Sequence, residues 1–176
     1  MIYNPNLHHR RSIRLKGYDY SQEGLYFVTI CCQNKECLFG KIVDNEMILN
    51  NARKIANDCW QQISKHFPNV ILHEYVIMPN HFHGIIQIVG AGSARHDDKM
   101  NDNMDLGLAN PAPTMPLGNI IGYFKYQTTK QIDLPTKLWQ RNYYEHIIRN
   151  EKSYQHIAEY IINNPKIWGK DKLYVE

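Results

Sequence analysis

Residues 71–88, ILHEYVIMPNHFHGIIQI, decide the fold. Two β-rich runs, 71–78 and 81–88, flank Pro79-Asn80, a dipeptide suited to a tight turn, so the stretch reads as a β-hairpin. On a strand, side chains alternate between faces. His81 and His83 therefore point one way while Phe82 points into the core, and two imidazoles can share one ion. His-x-His also arises by chance. Its place directly after a tight turn is what makes it a candidate metal site.

Outward from this hairpin, 25–33 (LYFVTICCQ) is aromatic and β-branched, and 41–49 reads as two short strands around Asp44-Asn45. Ala52, Ile55, Ala56, Cys59, Ile63 and Phe67 recur at helical spacing after Asn50 and Asn51, with Pro68 following, which predicts an amphipathic helix. Residues 90–116 are rich in Gly, Ala, Asn, Asp and Pro and read as a long mobile loop inside one domain. Leu117, Ile120, Ile121 and Phe124 mark a second helix, stopped by Asp133 and Pro135. A short strand over 143–148 leads to a third helix, capped by Asn150, with Tyr154, Ile157 and Ile161 on its buried side and Pro165 at its end. This order predicts an α+β domain spanning 1–176: a ferredoxin-like or RRM-like antiparallel sheet with helices on one face.

The chain has 176 residues and 43% hydrophobic content, enough for one core. Asn, His and Arg interrupt the first 16 residues, so no signal peptide or membrane span is expected, and the protein should be soluble and cytoplasmic, associated with the nucleoid. Cys31, Cys32, Cys37 and Cys59 lack both Cys-x-x-Cys and disulfide-framework spacing, which favours reduced thiols and no zinc site. The net charge of +3 is matched by residues 1–20 alone, where Arg10, Arg11, Arg14 and Lys16 face one carboxylate, Asp19. Such an arm either contacts phosphates or is a solvated tail.

A second half-site lies on the third helix, where Tyr160 and Asn164 are four residues apart on one side. A rim tyrosine and a helix-ending Asn before Pro would look the same. If the halves meet, two imidazoles and an amide oxygen suit a phosphate-handling divalent ion, Mg²⁺ or Mn²⁺, better than zinc. The tyrosine could then attack phosphorus, storing the broken bond's energy as a phosphotyrosine ester with no nucleotide cofactor. Tyr123 with Gln127 has the same spacing, beside Lys125 and Lys130. Its helix, however, is committed to the core, whereas the third helix follows the last strand and can lie beside the His-x-His strand. His146 could hydrogen-bond near the active site or be a sheet-face histidine satisfied by backbone, and the group Trp139, Tyr143, Tyr144 and Arg141 could stack on unpaired bases or simply pack the sheet.

Taken together, PNHFHGII (79–86), WQRNYYEHIIR (139–149), EYIINNP (159–165) and the opening KGYDYSQEGLYFVTICCQNKECLFG (16–40) resemble the REP-associated tyrosine transposases, the single-tyrosine branch of the HUH transposases. The resemblance spans nearly the whole chain outside 90–116. It implies a metal-dependent single-strand DNA endonuclease and strand transferase on hairpin DNA, working through a 5′-phosphotyrosine. It further implies His81 and His83 as metal ligands, Tyr160 as nucleophile, and Asn164 as third ligand where insertion-sequence relatives carry glutamine, with Asn163 as the adjacent alternative. Phosphate contacts are expected from the arm and from Lys125, Lys130 and Arg141, in a monomer or homodimer. A different class, a DNA- or RNA-binding descendant without turnover, would keep the same fold.

Overall fold

A computed structural model describes residues 15, 17–44, 46–90 and 115–175. Its centre is a four-stranded antiparallel sheet in the order β4-β5-β1-β6, built from β1 (Gly24–Cys31), β4 (Val70–Met78), β5 (His81–Ile88) and β6 (Tyr144–Ile148). β2 (Gly40–Val43) and β3 (Glu46–Leu49) pair separately as a small hairpin. With α1 (Asn51–Gln61) between β1 and β4, and α3 (Leu117–Ile132) between β5 and β6, the sheet has the ferredoxin-like order the sequence predicts.

The expected caps are present. Asn50 Oδ1 accepts from Arg53 N at 2.9 Å, and Asn150 Oδ1 accepts from Ser153 N at 2.9 Å to start α4 (Glu151–Asn163). α3 ends on Asp133 in the left-handed region, φ 50°. The first helix differs from expectation: a tight turn at Gln62 (φ −74°, ψ −16°) splits it into α1 and a short α2 (Ile63–His66). The apolar stripe nevertheless continues through Ile63 to Phe67. Pro165 ends α4 only as an α-helix, because the chain runs on as a 3₁₀ segment, Asn164–Lys170.

Strand alternation divides the interior in two. Tyr26, Val28, Ile30, Phe82 and Ile86 meet Trp60 of α1 and Ile120, Ile121 and Phe124 of α3 on one face. On the other, Val76, Met78 and Ile85 meet Ala158 and Ile161 of α4, and Trp168. The one-face arrangement thus holds for α1, α2 and α3, while the tyrosine-bearing helix covers the opposite face. The expected aromatic surface is partly core: Trp139 and Tyr143 are buried and Tyr144 is exposed. Of the basic arm, Arg10, Arg11, Arg14 and Lys16 lie outside the described residues, as does the loop expected over 90–116 apart from Gly90, Met115 and Pro116.

Gly84 sets how closely α1 approaches the hairpin. A Cβ there would lie 2.8 Å from both Trp60 Cζ2 and Phe82 Cε1. The missing side chain lets the Trp60 and Phe82 rings close to 4.3 Å between centroids.

Candidate metal and tyrosine site

β5 carries His81 and His83 on the face that α4 covers, and both imidazoles are buried. Their ring centroids are 4.5 Å apart. Each ring is oriented through Nδ1. His81 Nδ1 lies 2.8 Å from Asn80 Oδ1, and the Asn80 amide nitrogen donates to the carbonyls of Lys35 and Leu173. That fixes the Asn80 oxygen as acceptor, so His81 donates from Nδ1 and keeps its lone pair on Nε2. His83 Nδ1 pairs with Thr29 Oγ1 at 2.8 Å, across the register that sets Thr29 opposite His83.

α4 and the 3₁₀ segment close the site from above. Tyr160 hydroxyl donates to Asp171 Oδ2 at 3.0 Å and lies 3.3 Å from His83 Nε2. The Asn164 amide nitrogen donates to the same carboxylate oxygen at 3.1 Å, while Leu173 N donates to Asp171 Oδ1. Trp168 packs 5.8 Å from the His81 ring. Asn163 is exposed and donates to the Glu159 carbonyl, whereas Asn164 is buried and bonded to Asp171. Tyr123 lies in the opposite interior, stacked on His66 at 4.2 Å.

Burial governs the electrostatics. It pushes His81 down to about 4, against the pull of Asp171, and His83 down to about 3, with His81 adding to the effect. Both imidazoles are therefore neutral near pH 7 and able to ligate. Burial and the Asp171 carboxylate push the Tyr160 phenol up to about 12. Burial alone would raise Asp171, but hydrogen bonds from Leu173 N, Asn164 and Tyr160, with the nearby His81, hold it below the usual carboxylate range.

Two buried atoms in the site, His81 Nε2 and Asn164 Oδ1, have no hydrogen-bond partner. Each such atom costs about 1–3 kcal/mol unless something binds it. Ligand atoms of His81, His83 and Asp171 all lie within 4.8 Å of one another. Two imidazoles, an amide oxygen and a carboxylate therefore fit a divalent cation with mixed nitrogen and oxygen preference. Sequence reasoning missed three contributors. Asp171 sits in a segment without periodicity, Thr29 depends on strand register, and Asn80 reads only as a turn residue.

The expected phosphate-binding residues separate. Lys125 donates its ammonium to the carbonyls of Gln140 and Arg141, and burial lowers its pKa, so it clamps a loop and leaves no free cation. Lys130 and Arg141 are exposed. His146 is exposed on β6.

The fold and the site define a ferredoxin-like protein with a His-x-His pair on its central hairpin and a tyrosine helix laid over it. No protein-family model matches the chain. A Haemophilus influenzae protein described only as uncharacterized is 47% identical over 184 residues, covering 99% of this chain and 98% of its own; the two belong to one family. A second H. influenzae protein, provisionally named a REP-associated tyrosine transposase, is 24% identical over 84% of this chain and 73% of its own length. A solved REP-associated tyrosine transposase bound to a REP hairpin shares the fold with a TM-score of 0.59, at 20% identity, over 90% of this chain and 76% of that one. The chain is therefore similar to one provisionally named REP-associated tyrosine transposase and shares the fold of a solved one.

Proposed function

We propose that this chain is a metal-dependent single-strand DNA endonuclease and strand transferase acting on hairpin-forming DNA, with Tyr160 as nucleophile. The observation that carries the reading is the Tyr160 hydroxyl 3.3 Å from His83 Nε2, in a site with two buried lone-pair atoms, His81 Nε2 and Asn164 Oδ1, that lack hydrogen-bond partners. His81, His83 and Asn164, with Asp171, would hold Mg²⁺ or Mn²⁺, which supplies Lewis-acid polarisation of the phosphodiester and offsets charge on the departing oxygen.

The chain's own residues do the rest. Asp171 Oδ2 already accepts the phenol hydrogen and takes the proton as Tyr160 Oη bonds to phosphorus. The P–O3′ bond breaks, the 3′-oxygen takes a proton from solvent, and the 5′ strand stays on Tyr160 as a phosphotyrosine ester. Attack by another 3′-hydroxyl reverses the step and joins a new end, so no nucleotide cofactor is consumed. Thr29 and Asn80 hold the two imidazoles with Nε2 turned inward. Arg10, Arg11, Arg14 and Lys16, with Lys130 and Arg141, contact phosphates.

The test is incubation with single-stranded hairpins taken from the DNA flanking the gene, plus Mg²⁺ or Mn²⁺, followed by a denaturing gel. A covalent protein–DNA band is expected for the natural protein and none for Tyr160→Phe, which loses one oxygen and keeps the ring. Lack of any band with the natural protein, or its persistence in Tyr160→Phe, refutes the reading.

A further inference from the structure

One groove lies outside the metal and tyrosine site and is still tied to it. It has a volume of about 440 Å³ and runs between the C-terminal half of α3 and the segment 137–141, with Gln33, Tyr126, Thr129, Lys137 and Arg141 among its walls. Among the described residues, its lining includes Lys125, Lys137 and Arg141 and no carboxylate. Lys125 is tied to the Gln140 and Arg141 carbonyls, which leaves Lys137 and Arg141 as its exposed cations. Tyr126 is 60% exposed although it sits on a core-packed helix, and Lys130 Nζ lies 6.0 Å from the centre of its ring.

One wall of the groove, the segment 137–141, is tied to the end of β1, the strand beside the one that carries the histidines. Gln140 N donates to the Cys31 carbonyl, Gln33 N donates to the Leu138 carbonyl, and Cys31 is the cross-strand partner of His81. An exposed aromatic ring beside exposed cations, with no opposing carboxylate, is the chemistry of a single-strand track: the ring stacks a base and the cations meet phosphates.

We propose that this groove holds the unpaired strand next to the cleaved phosphodiester, with Tyr126 stacking a base and Lys137 and Arg141 contacting phosphates. The assignment rests on the DNA reading above. It adds a place for the single strand distinct from whatever surface grips the duplex stem.

The experiment measures affinity, by fluorescence anisotropy, for one hairpin from the flanking DNA with and without a single-stranded extension. Tyr126→Ala should weaken binding of the extended hairpin by about tenfold, and Tyr126→Phe, which keeps the stacking ring, should not. The Lys137→Ala, Arg141→Ala double variant should lower the salt slope for the extended hairpin by about 1.4. Neither Tyr126 variant should change affinity for the blunt hairpin, the double variant should lose more affinity for the extended hairpin than for the blunt one, and all should melt like the natural protein. Equal losses on both hairpins, or no loss on either, would overturn the groove while leaving the DNA reading intact. If the natural protein binds neither hairpin, the DNA reading falls and the groove assignment falls with it.

Discussion

At the scale of single residues, each imidazole depends on one neighbour for its orientation. Thr29→Val keeps the shape of the side chain but removes the hydroxyl that holds His83 Nδ1. We expect metal affinity, by titration calorimetry, to fall about ten- to a hundredfold while the fold is kept, in line with the usual cost of losing such a supporting contact. His83→Ala should abolish both metal binding and metal-dependent cleavage. Tyr123→Phe should retain the covalent adduct, because that ring is stacked on His66 within the other interior. An adduct lost in Tyr123→Phe and kept in Tyr160→Phe would mean the nucleophile lies on α3.

Among the elements, the hairpin and α1 are matched through Gly84. Gly84→Ala pushes a methyl group against Trp60 and Phe82, neither of which can yield easily because both are fully buried. We expect a loss of about 1–3 kcal/mol in denaturant unfolding, the usual range for an overpacked core, and reduced cleavage because Phe82 separates the two histidines in sequence. An unfolding midpoint equal to that of the natural protein would show that Trp60 yields. The elements themselves were legible because their signals are local: Asn50 and Asn150 as caps, Pro79-Asn80 as a turn, and alternation at 81–83. The face taken by α4 was not. A stripe of Ile157 and Ile161 says that one side of a helix is buried, but nothing in the spacing says which side of the sheet receives it. Asp171 was hidden for a related reason, since it reaches the site only because the 3₁₀ segment before it folds back, and such a segment has no apolar period to read. Lys125 shows the converse, a cation whose partners are backbone carbonyls that no sequence pattern displays.

For the whole molecule, two buried neutral histidines make the metal-free protein sensitive to acid. Their folded values, about 4 and about 3, lie below the ordinary 6.5. The unfolded chain therefore takes up protons first as pH falls below 6.5, and stability declines with it. The slope should approach about 1.4 kcal/mol per pH unit for each imidazole until the folded values are reached. Denaturant unfolding in chelator from pH 7 to 5 should show this decline, and the His81→Ala, His83→Ala double variant should flatten it. A last consequence concerns time. The hydroxyl–imidazole contact joins positions 77 apart in sequence, and the amide of Asn80 reaches a carbonyl 93 positions onward. A ribosome adding about 5–20 residues each second delivers Tyr160 and Asp171 several seconds or more after His83. During that interval the growing polypeptide carries its histidines without a tyrosine or carboxylate to act with them. On the proposed function, a half-made chain is thus chemically silent beside the nucleic acid around it, and the earliest moment at which it could touch a phosphodiester is set by translation.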